Sequence, residues 1–502
     1  MATQVKLLNP IESIMKDLKE KIIRGSFAKI VSQAVNVFLR LGSLIVLARL
    51  LDPTDFGLVT MVTAVSGVFK ILKDAGLSMA TIQRDTVSHE QMSTLFWINT
   101  LLGLILALLL VAMAPAIVTF YNEPRLYWVT LALGVDFIFT GLTAQHSALL
   151  QRQMRFDTIA FIDIITLLAG IIVAVSMALD GWGYWALVGQ AVITPCAYTI
   201  CTWAAVRWIP GMPRRSVGIR SMLRFGGTIT LNGLVMYFAY NVEKILLGRF
   251  WGADSVGIYE RANQLIKFPI DILFSSIGGV MFSALSRIQD DPNRQKRYFL
   301  KGLSLVLTLS LPITFACAIF ADDVIFVLLG PKWKDAAPIF RLLAPAILVL
   351  SMINPFYFML LSFGLVKRSL KIAFVIAPLV IASYIIGLPH GPTGVAFAYS
   401  AAMILWVVPH IAWCIHGTRI SVLDIVQTVS RPFISGIVAS ALAFGIQFYY
   451  GQFLSSFQRL ALGSSVMLIS YLWMLLFIMG QKTFYLDLFL VLKTRNPVDQ
   501  KN

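Results

Sequence analysis

Six basic side chains stand inside otherwise apolar segments of this 502-residue chain: Arg40, Lys70, Lys73, Lys244, Arg261 and Lys267. Guanidinium and ammonium groups hold anions by charge-assisted hydrogen bonds, Arg through a planar fork and Lys as a point charge. A charge at the centre of a bilayer costs at least ~2.5–3.5 kcal/mol on insertion scales, so it must face a partner or a hydrated space. The six predict a hydrated cationic cleft suited to an anionic cargo such as a phosphate head group. Acids are interspersed with them: Asp74, Glu243, Glu260 and Asp271 near the bases, Asp136 and Asp163 in other segments. A purely local reading pairs Lys73 with Asp74, Glu243 with Lys244 and Glu260 with Arg261, and lets Lys70, Lys73 and Lys267 snorkel to an interface. Arg40 has no acid near it in sequence.

The elements that must position these groups follow from composition. The chain is 58% hydrophobic and 13% charged, where a soluble protein carries about 25% charged residues. Its mean hydropathy is +0.79. Runs such as Leu101–Val118, Ile164–Leu179 and Gly302–Ile319 are continuously apolar, which reads as helix and excludes an alternating β-barrel. The expectation is an all-α polytopic membrane protein of fourteen spans, near 27–51, 57–81, 92–119, 127–149, 158–179, 184–208, 225–249, 263–286, 302–320, 337–362, 371–388, 393–416, 432–450 and 458–480.

Residues 1–24 read as a cytoplasmic amphipathic helix lying on the membrane, capped at Asn9-Pro10. Arg and Lys concentrate in one set of alternate loops, including Arg84, Arg152, Arg155, Arg207 and Arg287. Both termini are therefore expected in the cytoplasm. That asymmetry accounts for the net charge of +16 without nucleic acid. The four cysteines lie in apolar segments without metal-ligand spacing, and His146, His410 and His416 read as packed residues. The first apolar run is long enough to span, so no cleavable signal is expected. No P-loop, nucleophile elbow or metalloprotease motif is present, and no cofactor or metal is called for.

LARLLDPTDFG (47–57) returns as LGRFWGADSVG (247–257), an offset of 200 residues. Residues 24–57 and 224–257 share seven identities, including Leu47/Leu247, Arg49/Arg249 and Gly57/Gly257. The offset holds an even number of spans, so the halves should be related about the membrane normal. This predicts pseudo-symmetric six-helix lobes at 25–208 and 225–416, an interlobe linker at 209–224, two further helices in 417–480 and a cytoplasmic tail at 481–502. The cleft is expected between the lobes, walled by spans 1, 2, 7 and 8. Gly57 and Gly257 are expected to permit a tight turn.

LARLLDPTDFGLVTMV (47–62), DAGLSMATIQR (74–84), ALLQRQMRF (148–156), GIYERANQLIKFP (257–269) and LLGPKWKDAAPIFRLLA (328–344) resemble the polysaccharide-transporter branch of the multidrug/oligosaccharidyl-lipid/polysaccharide exporter superfamily. The nearest likeness is to Wzx-type repeat-unit flippases of the colanic-acid type. The resemblance implies a bilobed bundle with a central cationic cavity that moves an undecaprenyl-pyrophosphate-linked oligosaccharide to the periplasmic leaflet by alternating access. It implies no enzymatic chemistry. It also implies a proton or sodium ion as coupling partner and association with a polysaccharide polymerase and chain-length regulator. The family's cavity bases map onto Arg40, Lys70, Lys73, Lys244, Arg261 and Lys267, and its coupling acids onto Asp74, Glu243 and Asp271. Two alternatives stay open. A drug antiporter of the same superfamily would favour acids in the cleft. A polymerase or ligase would need a large polar outer loop, whereas the longest expected here is about 320–336.

Overall fold

A computed structural model of the chain describes residues 32–73, 88–213, 234–289, 291–482 and 485. The predicted helix at 1–24, Asp74, Arg84, residues 214–224 of the linker and the tail from 486 lie outside these. The described residues form helices joined by short turns, with no strand among them. A lipid environment offers no water to the backbone, and a helix satisfies its own N–H and C=O groups.

In chain order the long helices are α1 Ser32–Leu50, α2 Pro53–Lys73, α3 His89–Tyr121, α4 Leu126–Arg152, α5 Phe156–Leu179, α6 Trp185–Val206 and α7 Val242–Ser286. There follow α8 Pro292–Ile319, the short α9 Ala321–Leu328, α10 Ala336–Ser362, α11 Val366–Gly387, α12 Gly391–Ile415, α13 Val422–Tyr450 and α14 Ser456–Trp473. Among the described residues, 11 helices are long and apolar enough to cross a membrane, fewer than the fourteen spans expected. The 50-residue stretch Val366–Ile415 counts once, although the turn Leu388–His390 divides it into α11 and α12. The expected seventh and eighth spans run into α7, which is not among the 11.

The chain divides into two compact units, Met1–Gly257 and Ile258–Asn502. The division falls inside α7 and not in the 209–224 linker. The reason is the packing of 234–257 along α2. Tyr237 donates its hydroxyl to the Ala64 carbonyl at 2.9 Å. Gly248 lets Tyr121 and Met61 approach its backbone. Near the start of α2 the two copies of the repeated motif meet. A Cβ on Gly57 would overlap the Ala253 carbonyl, and a Cβ on Gly257 would overlap the Pro53 carbonyl. Thr54 donates to Asp254 across the same contact at 3.4 Å. The paired glycines therefore serve close backbone approach, as small residues do between membrane helices, and not the tight turn expected. The backbone break belongs to Gly252, whose φ of 81° lies in the left-handed region that glycine adopts without strain.

In the first unit, α1 meets α5 where Ser32 Oγ donates to the Ala160 carbonyl at 3.5 Å. Between α4 and α6 the hydroxyls of Thr143 and Thr199 lie 2.6 Å apart. In the second unit, Phe299, Leu303, Leu307 and Leu311 of α8 pack on Phe356 and Met359 of α10, with Phe299 and Phe356 in edge contact at 5.0 Å. A satellite core of Phe320, Ala443, Met467 and Tyr471 joins α13 and α14 to this bundle. The expected outer loop 320–336 is largely ordered as α9 and a turn, burying Ile325 and Trp333.

Candidate functional site

The structure gives most of the intramembrane bases an acid neighbour. Lys70, near the end of α2, reaches across to Asp136 of α4, with Nζ 3.0 Å from Oδ2. Asp136 stands ten residues into α4, about 15 Å along its axis. Its side chain is 14% exposed and that of Lys70 57%. Arg40, near the middle of α1, is exposed, and its charge acts on Asp163 of α5. The same carboxylate acts on Tyr198 of α6, whose hydroxyl shares a hydrogen bond with Ser147 of α4. Thus Arg40, without an acid near it in sequence, has one in space.

Lys73 ends α2 half-buried. Lys244 is half-buried beside Glu243, which is buried at 1% exposure in the first turn of α7. All of these belong to the first unit. In the second, Glu260 acts electrostatically on the half-buried Arg261, and Lys267 on the exposed Asp271 one turn later. Asp136 and Asp163, not among the expected site residues, thereby become neighbours of two of the candidate bases. The signal available in the sequence was their isolation in apolar segments, where a lone carboxylate needs a partner.

The Arg249 guanidinium lies 5.7 Å from the Phe120 ring centroid, a cation–π contact. In the loop between α3 and α4, the Arg125 guanidinium grips Glu123 at 2.8 Å and holds its carboxyl below the usual carboxylate range. His146 is fully buried and stacked on Trp203 at 4.3 Å, with Nε2 3.1 Å from the Trp208 carbonyl. The start of the 209–224 segment is tied down beside it, as Trp97 donates to the Gly211 carbonyl at 2.9 Å and Gly211 N–H to Ser93 at 2.9 Å. His410 is buried between Phe356 and Trp406. Among the described residues no His, Cys, Asp and Glu cluster could hold a metal ion.

A membrane bundle with paired charges inside it fits many transporters, and comparison narrows the choice. The sequence profile of a family described as polysaccharide biosynthesis protein matches residues 46–338, more than half of the chain. The chain belongs to this family. Among relatives, it is 28% identical over 365 residues to the lipopolysaccharide biosynthesis protein WzxC of Escherichia coli K12, covering 70% of this chain and 72% of the relative. It is 26% identical over 422 residues to the teichuronic acid biosynthesis protein TuaB of Bacillus subtilis 168, covering 81% and 85%. The fold is that of a solved lipid II flippase MurJ in an inward closed conformation, with a TM-score of 0.70 at 14% identity, covering 93% of this chain and 100% of that one. An inward-facing multidrug resistance MATE family transporter is similar at a TM-score of 0.59 and 14% identity, covering 78% and 99%.

Proposed function

We propose that this family member is a flippase for lipid-linked oligosaccharide repeat units, a transporter and not an enzyme. The observation that carries the reading is membership of a polysaccharide biosynthesis family by a chain folded as a multi-helix membrane bundle with the MurJ-like architecture. Chemistry supports it. A pyrophosphate presents several anionic oxygens, and Arg40, Lys70, Lys73, Lys244, Arg261 and Lys267 offer the complementary donors. The sugars pass through the hydrated interior while the lipid tail stays in hydrocarbon.

In this reading the carrier lipid is undecaprenyl pyrophosphate and transfer runs from the cytoplasmic to the periplasmic leaflet of the bacterial inner membrane, with both termini cytoplasmic. Asp74, Glu243 and Asp271 couple the cycle to a proton or sodium gradient, and a polymerase and chain-length regulator receive the product. The test is reconstitution in proteoliposomes with fluorescent lipid-linked repeat units, with and without imposed proton or sodium gradients. Transfer to the protected leaflet is expected. If no pyrophosphate-linked sugar crosses under any gradient, the reading fails.

A further inference from the structure

The Lys70–Asp136 pair differs from an ion pair that merely pins helices together. The second unit supplies the contrast: Arg459 grips Asp323 through two nitrogens at 3.0 and 2.8 Å, Gln447 adds a third donor at 3.2 Å, and the acid is 4% exposed. A planar fork held at several points does not let go readily. Lys70 is a single flexible ammonium, and the exposure of the pair is lopsided. The acid is enclosed within α4, and the base is open. A lysine this exposed, paired with a carboxylate near the middle of a helix that crosses a bilayer, faces water and not hydrocarbon. An incoming anion can thus reach the ammonium without first displacing protein around the carboxylate.

We propose that Asp136 is an exchangeable stand-in for the cargo's phosphate: it holds Lys70 in the empty transporter and yields the ammonium when the anion arrives. This rests on the flippase reading above. Its physical purpose is charge balance. Without cargo, Lys70 and Asp136 neutralise each other, so the empty protein changes conformation without an unpaired acid in mid-helix. With cargo, the phosphate takes over the ammonium. The competing carboxylate keeps binding from becoming so tight that release fails. Asp136 is then a positioning residue that sets affinity and release through Lys70, without touching the cargo itself.

The test uses the full chain in nanodiscs, with inorganic pyrophosphate as the calorimetric probe, and proteoliposomes carrying lipid-linked repeat units. Asp136→Asn is expected to bind pyrophosphate on the order of tenfold more tightly than the wild type and to turn over more slowly. Equal or weaker binding by a folded Asp136→Asn protein would overturn the proposal. A charge-swapped double variant, Lys70→Asp with Asp136→Lys, decides the matter even if Asp136→Asn fails to fold. It keeps a pair but encloses the base, so normal abundance with lost pyrophosphate binding and lost transfer is expected. Wild-type rates in the swapped protein would show a pair that only holds helices together. If the wild type itself moves no pyrophosphate-linked sugar, the flippase reading falls. If the wild type and the swap both move it, only the exchange fails.

Discussion

The two compact units place their ion pairs differently. In the first, Lys70 pairs with Asp136 near the middle of α4, and Arg40, not itself in contact, lies within electrostatic range of Asp163 of α5. In the second, Lys296–Asp424, Asp322–Arg341 and Asp323–Arg459 join separate elements near helix ends. Lys296 and Asp424 join the first turns of α8 and α13 at 2.6 Å, where Asp424 also completes a capping box with Ser421. Asp322 and Asp323 at the start of α9 hold Arg341 and Arg459. Charge at a helix end is supported by solvent, caps and the helix dipole. Charge in mid-helix lacks that support and persists only beside a partner or a hydrated space. The second unit's cross-helix pairs fasten helix ends, whereas in the exchange proposed above the first unit's Lys70–Asp136 pair lies where a cargo anion competes for it.

Substitutions can break this distinction, and they rank by expected effect on stability. Asp323→Asn leaves the Arg459 guanidinium poorly compensated, and losing one partner of a buried pair costs about 3–5 kcal/mol. Thermal unfolding in nanodiscs should show the loss, with transfer per folded molecule retained. Gly57→Ala drives a methyl into the Ala253 carbonyl, at about 1–3 kcal/mol by the usual scale of overpacking. Gly436→Ala in the second unit meets the Phe315 ring, a side chain and not backbone. A smaller melting shift for Gly436→Ala than for Gly57→Ala is expected, and the reverse order would refute the backbone-contact account.

Arg40→Ala removes an exposed side chain and should change stability by at most about 1 kcal/mol. Translocation in proteoliposomes should nevertheless be abolished at unchanged membrane abundance; normal transfer would remove Arg40 from the site. Glu123→Gln breaks a surface pair with Arg125 and should cost below about 1 kcal/mol. Because Arg125 holds the Glu123 carboxyl below its ordinary range, the pair's contribution is complete at neutral pH. It is lost only as acidification passes through that lowered value. Unfolding of wild type and Glu123→Gln should therefore differ by a constant amount between pH 6 and 8.

Much of the scaffold was legible in the chain. The apolar runs placed some helix ends within a few residues, as the expected spans 158–179 and 337–362 against Phe156–Leu179 and Ala336–Ser362 illustrate. By contrast, α8 and α13 begin at Pro292 and Val422, ahead of the expected 302 and 432, because polar and charged side chains interrupt their opening turns. Hydropathy is a local sum, so it survives without knowledge of neighbours. Glycine is less transparent. Gly57, Gly252 and Gly257 look alike in sequence, yet Gly252 turns the backbone while the other two admit a facing carbonyl. Nothing local distinguishes a residue chosen for its φ from one chosen for its missing side chain. The bases of the site were visible as costly charges, but their partners were not. Nothing in the sequence joins Lys70 or Arg40 to an acid of another helix, whereas Lys70 meets Asp136 of α4 and Arg40 lies within electrostatic range of Asp163 of α5.

The sequence by itself determined a helical membrane protein, a repeat within it, a set of intramembrane bases and a likeness to polysaccharide transporters. Each of these follows from composition or from residues close together along the chain. Only the tertiary structure decided that 234–257 packs with the first unit, that the repeated motifs meet glycine to carbonyl, and that Lys70 finds a half-buried acid on another helix. Those facts depend on how each helix is rotated about its axis and which helix lies beside it. In an almost uniformly apolar span, periodicity marks no preferred face, so the rotation is set by packing between distant segments and is absent from any one of them.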